Sequence, residues 1–188
     1  FSVLQLNVQN GQLVPTPAVG VAHQKDTALV KSYLNLRQVK EVLPRNVEFK
    51  WSVKSIDTKG NFFELIAIKV TSRDGKAPLE GSAISDARSD FGQFSPNSVV
   101  SMTMNPEGAR TWARLTKENI GRSIAIVLDD MAYSYPNVNT EITGGRSEIS
   151  GNSTVEEAKD LANVLKSGRM PAPSRIVQED VVGPSLGQ

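Results

Sequence analysis

The sequence contains no cysteine and a single histidine, His23. Without thiols there is no disulfide framework and no thiolate metal site. With one imidazole there is no second His to complete a metal set or a nucleophilic pair. Long apolar runs are also missing. The longest, Ile124 to Leu128, falls far short of the roughly 20 residues that a membrane-crossing helix needs. Charge of one sign is absent too: 21 Lys and Arg against 20 Asp and Glu leave +1. These charges are scattered, so composition offers no field for a nucleic acid partner. The first residue is Phe1 with no charged-then-apolar leader behind it, which reads as an excised piece whose targeting information lies elsewhere.

What is present is enough chain, 188 residues, for one core divided into lobes. Val3 to Val8 reads as a short strand before a Pro- and Gly-rich loop. Asp26 is placed to cap a helix through Leu34, with further helical turns over Leu36 to Leu43 until Pro44 stops them. From Val47 the period becomes two: Val47, Phe49, Trp51 and Val53 alternate with Glu48, Lys50, Ser52 and Lys54, the pattern of a half-buried strand. After "DTKG", Phe62 to Val70 reads as a second, more central strand of the same hairpin. The exposed stretch "TSRDGKAPLEG" is the expected lobe boundary.

The second half carries clearer signals. "SVVSMTMN" is a strand, and Asn105-Pro106 opens a helix whose apolar side is Ala109, Trp112, Ala113, Thr116 and Ile120, ended by Gly121. "RSIAIVLDDMAYSYP" reads as strand, Asp129-Asp130 turn, strand. "GNSTVEEAKDLANVLKSG" opens on a capping-box spacing, Ser153 to Glu156 or Thr154 to Glu157, and buries Val155, Ala158, Leu161, Ala162 and Leu165. Gly168 ends it, and Pro171 and Pro173 forbid resumption. Without a βαβ rhythm, the class is α+β: a mixed, largely antiparallel sheet with amphipathic helices on one face, in two lobes.

Chemistry-bearing patterns are few. Asp129-Asp130 reads as a turn former rather than a carboxylate pair, and the glycines of "TGGRSEISG" match neither dinucleotide nor phosphate-loop spacing, so they read as bulges or close backbone approach. No serine stands in a Gly-x-Ser-x-Gly elbow. No catalytic residue, cofactor or metal is therefore expected. Met131, Tyr133 and Tyr135 are the candidate binding surface, set against the alternative that strand alternation points them into the core.

From Pro78 onward the chain resembles the SecD family of bacterial protein-export membrane proteins, including fused SecD–SecF forms. The stretches that carry the resemblance are "PLEGSAISDARSDF", "VSMTMNPEGARTWARLTKENIGRSIAIVLDDMAYSYPNV", "EITGGRSEISGN", "EEAKDLANVLKSGRMPAP" and "IVQEDVVGPSLGQ". They occur in the family's order. Asp130 stands where the family usually has Gly, Tyr135 where a small residue is common, and Ser153 where relatives often carry an aromatic. The resemblance implies residues 1–77 as an N-terminal lobe, 78–170 as a head lobe, and 171–188 as a returning strand with Gly183, Pro184 and Gly187 leading into a membrane helix.

It further implies a location on the periplasmic side of the inner membrane. The implied function is contact with unfolded preprotein and help in completing export, driven by the proton gradient, alongside SecF and the SecY-SecE-SecG channel. Pro171 and Pro173 would be the hinge. The family's Gly-Leu-Asp-Leu-x-Gly-Gly signature is absent. A stand-alone extracytoplasmic hydrolase and a structural spacer within the translocon are the alternatives.

Overall fold

A computed structural model describes residues 3–9, 12–13, 16–72, 74–91, 98–150 and 154–168. The expected hinge residues Pro171 and Pro173 and the lead-in residues Gly183, Pro184 and Gly187 lie outside them. In chain order the elements are β1 (Gln5–Leu6), β2 (Val8–Gln9), β3 (Gln12–Leu13), β4 (Ala18–His23), α1 (Thr27–Leu34), α2 (Arg37–Val42), β5 (Val47–Ser55) and β6 (Phe62–Lys69). There follow β7 (Ile84–Phe91), β8 (Ser98–Met104), α3 (Pro106–Glu118), β9 (Ile126–Leu128), β10 (Met131–Ser134), β11 (Arg146–Ile149) and α4 (Val155–Ser167). The fold is α+β.

Two sheets carry it. The larger has strand order β1-β4-β6-β5-β10-β9 and the smaller β11-β8-β7, with β2 and β3 forming a separate ribbon. Pairing is antiparallel except between β10 and β5, which run parallel with Met131 opposite Trp51 and Ala132 opposite Ser52. The larger sheet thus draws strands from both sides of residue 77, across the expected boundary. It also makes β5 as interior as β6, where the sequence placed β6 more centrally.

Local chemistry explains most element ends. The Asn105 carboxamide oxygen accepts from Gly108 N at 2.8 Å, ahead of Pro106, whose missing N–H costs nothing at the first helical position. For α4 it is Thr154 that caps: its hydroxyl accepts from Glu157 N at 3.2 Å and the Glu157 carboxylate accepts from Thr154 N at 3.0 Å, the reciprocal capping box. Asp26 occupies the N-cap position of α1, as expected, but makes no side-chain cap bond.

Helix α4 lies against β7 and β8, where Ala158, Ala162 and Leu165 join Ile84, Ala87, Val100, Met102 and Met104 in one buried cluster. Two residues of the expected helical stripes fall outside: Ile120 and Val155 are exposed, because α3 ends at Glu118 and Val155 occupies the first position of α4. On the larger sheet, Val30 of α1 closes over Ala22 and Leu65, and a second cluster gathers Ala18, Ile66 and Ala132. Lys54 of β5 reaches Glu157 of α4 at 3.1 Å, an ion pair between the sheet and the helix of the other cluster.

Candidate functional site

Strands β9 and β10 meet at Asp129-Asp130, both with positive φ, 49° and 66°. Two left-handed central residues give the turn whose twist matches the flanking strands, and Asp tolerates that region better than most side chains. The turn is anchored from β5: Lys50 Nζ donates to Asp130 Oδ1 and stands 3.1 Å from Glu48 Oε2, while Lys31 of α1 approaches Asp130 at 3.5 Å. Asp130 is held below the usual carboxylate range chiefly by the hydrogen bond from Lys50. At Lys50 burial pulls the other way, but the hydrogen bonds to Asp130 and Glu48 outweigh it and raise the ammonium's pKa.

The three residues expected to bind have separate fates. Met131 is half-buried beside Trp51 and Leu128 in the sheet register. Tyr133, also half-buried, falls where the β10–β9 register slips between Ala132 and Ser134, and such a bulge re-aims the side chain it carries. Tyr135 packs on the Ala18, Ile66 and Ala132 cluster and donates its hydroxyl to Glu64 Oε2 at 2.8 Å. Burial, reinforced by the Glu64 carboxylate, pushes this phenol up to about 12. Its polar tip is thus engaged within the molecule, whereas Met131 and Tyr133 border the open side of the sheet.

That open side is β9, which ends the order opposite β1, with Val127 41% exposed. Its length is three residues, and it pairs through β10 alone among the described residues. A short edge strand presents backbone donors and acceptors in one direction.

His23 behaves as an ordinary structural residue. Nδ1 accepts from Lys25 N at 3.3 Å and the ring meets Phe62 edge-on at 5.2 Å. Gly145 has φ 66° and a Cβ there would stand 2.8 Å from that of Ala109, the close approach expected of the "TGGRSEISG" glycines. No cluster of metal-ligating side chains occurs among the described residues.

Two features were not read from the sequence. One is a break in the expected alternation of β5: Ser52 is buried and Val53 exposed where the β5–β6 register shifts between Trp51 and Ser55, and the Ser52 hydroxyl accepts from Glu64 N at 3.0 Å. The other is a set of exposed apolar residues on α1 and α2, Leu29, Tyr33, Leu36 and Val42. The 29/33 spacing, one helical turn on the face adjoining Val30 and Leu34, was the available signal.

Residues 66–172 match the family model described as SecDF, P1 head subdomain. The protein translocase subunit SecD of Rhodothermus marinus is 44% identical over 169 residues, covering 90% of this chain and 27% of that protein. The protein translocase subunit SecDF of Thermus thermophilus is 44% identical over 114 residues, covering 61% of this chain and 15% of that protein. A crystal structure of SecDF in a super-membrane-facing form aligns with 77% of this chain and 16% of its own at 34% identity, with a TM-score of 0.42. The chain thus spans about a third or less of the curated relatives it matches. With the matched segment taking in more than half of its residues, the chain belongs to the SecD/SecDF family of protein translocase subunits, within which residues 66–172 correspond to the P1 head subdomain.

Proposed function

We propose that this chain acts in protein export without covalent catalysis, on the periplasmic side of the inner membrane, by holding segments of unfolded preprotein as they emerge. Membership of the translocase-subunit family supports the role in export. The observation that carries the site is the edge strand β9, with Val127 exposed and Tyr133 at the adjoining bulge. An extended chain added to such an edge is held by main-chain hydrogen bonds, which every sequence possesses, with shallow apolar contacts beside them. Sequence tolerance follows from that division of labour. Met131 and Tyr133 are the proposed side-chain contacts, and Tyr135 supports them through Glu64.

In this reading the partners are the preprotein, SecF and the SecY-SecE-SecG channel, and the proton gradient drives movement of the head about Pro171 and Pro173. Gly183, Pro184 and Gly187 lead into the membrane. The test places a photo-crosslinking residue at Val127 or Tyr133 of the full-length protein during export of a substrate arrested in transit, with exposed Thr58 as the comparison. Crosslinks at 127 and 133 well above those at 58 are the expected result. Equal yields at all three positions would remove the strand-edge site.

A further inference from the structure

We propose that the α1–α2 segment is a docking surface for anionic phospholipid at a membrane surface. The apolar part is a run of four exposed side chains between Leu29 and Val42. Val30 is committed to the core and Leu34 packs beside it, which leaves Leu29 and Tyr33 outside on the next face, 40% and 49% exposed, followed by Leu36 at 47% and Val42 at 85%. Val42 ends α2. The core thus claims one side of α1 and leaves a second apolar side without a partner among the described residues.

Charge selects the occupant. Between Lys25 and Arg45 the chain carries five cations, Lys25, Lys31, Arg37, Lys40 and Arg45, against Asp26 and Glu41, in a protein whose total is +1. Lys31 is engaged by Asp130 and Arg37 by Glu41 at 2.9 Å, while Lys40 and Arg45 have no ion-pair partner among the described residues. Asn35, Arg37, Lys40 and Arg45, against the single carboxylate of Glu41, line an open cleft of about 570 Å³ with Leu43 and Pro44. Amide, guanidinium and ammonium donors around a cleft suit a phosphodiester, and the neighbouring Tyr33, Leu36 and Val42 suit the glycerol and upper acyl region. An unfolded polypeptide has no fixed charge and leaves the cations unexplained. An anionic bilayer accounts for both halves of the surface.

This contact lies within the chain, in addition to any made by segments outside it, and is independent of the strand-edge reading. The test is co-sedimentation of the 188-residue chain with vesicles containing phosphatidylglycerol, compared with vesicles of phosphatidylcholine alone. Binding to the anionic vesicles is expected, weakened about five-fold by each of Lys40→Gln and Arg45→Gln, abolished by Val42→Asp, and suppressed in about 1 M salt. Val42 is 85% exposed, so the Asp variant keeps its fold, which near-UV circular dichroism checks. Three results would each overturn the proposal: equal binding to both vesicle types, no binding to either, or full displacement from the vesicles by millimolar glycerol phosphate. A fourth is binding of an uncharged apolar peptide that Val42→Asp abolishes while vesicles are ignored, which would give the surface to polypeptide instead.

Discussion

Gly81 and Gly168 meet backbone to backbone, and the contact is one-sided. A Cβ added to Gly81 would stand 2.8 Å from Gly168 Cα and closer still to its carbonyl, whereas one added to Gly168 would sit an ordinary 3.5 Å from Gly81 Cα. The turn before β7 and the end of α4 are thereby held together at the point where the chain leaves the helix. Gly81→Ala is expected to cost about 1–3 kcal/mol through overpacking. Gly168 has a right-handed φ of −60°, so Gly168→Ala is expected to be neutral or stabilising by up to about 1 kcal/mol. Urea unfolding of both variants checks the asymmetry; equal losses would contradict it.

The hairpin turn is held by charge. Asp130 is lowered and Lys50 raised in pKa. The Asp130 contribution to stability is therefore complete above the unfolded carboxylate value and lost as pH falls through the lowered one. The Lys50 contribution is complete below 10.5 and lost as pH rises past it. Asp130→Asn keeps a side chain that tolerates positive φ but removes the charge. A loss of about 0.5–1 kcal/mol near neutral pH, shrinking in acid, is expected from thermal unfolding at several pH values.

Tyr135 should ionise late. The Tyr135 phenol is raised from 10.0 to about 12, so the folded protein keeps this proton after the unfolded chain has released it. Its stabilising effect is full below pH 10 and disappears as pH rises toward 12. Ultraviolet titration should show a late-ionising tyrosine that Tyr135→Phe removes. At neutral pH that substitution is expected to cost about 0.5–1.5 kcal/mol through the lost bond to Glu64.

At the start of α4 the cap outweighs the ion pair. Thr154→Ala is expected to cost about 1 kcal/mol, since it removes the hydroxyl that accepts from Glu157 N. Lys54→Ala breaks a bridge whose side chains are 49% and 36% exposed and is expected to cost under about 1 kcal/mol, less at high salt. Glu157 is lowered in pKa chiefly by its backbone bond at Thr154 and next by Lys54. The helix start should therefore weaken as pH falls below the ordinary carboxylate value.

Thr116 ties α3 to the segment after β10. Fully buried, its hydroxyl donates to Trp112 O at 2.8 Å and accepts from Ile142 N at 3.0 Å. Thr116→Val preserves the shape and strands the Ile142 N–H, an expected loss of about 1–3 kcal/mol. Thr103→Val, at a half-buried strand position, should cost less. Equal losses would show that the hydroxyl does not carry the difference.

The sequence by itself determined features that act over a few residues: the Asn105 cap, a capping box at the start of α4, which the structure assigns to Thr154 and Glu157, and the Asp129-Asp130 hairpin. Each rests on hydrogen bonds or φ preferences available within a single turn. Its ordered motifs also sufficed to identify the family. Only the tertiary structure decided that β10 would lie parallel to β5, because docking two segments whose Lys50 and Asp130 are 80 positions apart depends on which surfaces remain to be covered after the local elements form. That choice enclosed Lys50 between two carboxylates and placed β9 at a sheet edge, while the packing of Val30 on Ala22 and Leu65 left Leu29, Tyr33, Leu36 and Val42 exposed. Periodicity marks a face as apolar, and packing decides whether anything in the same chain covers it.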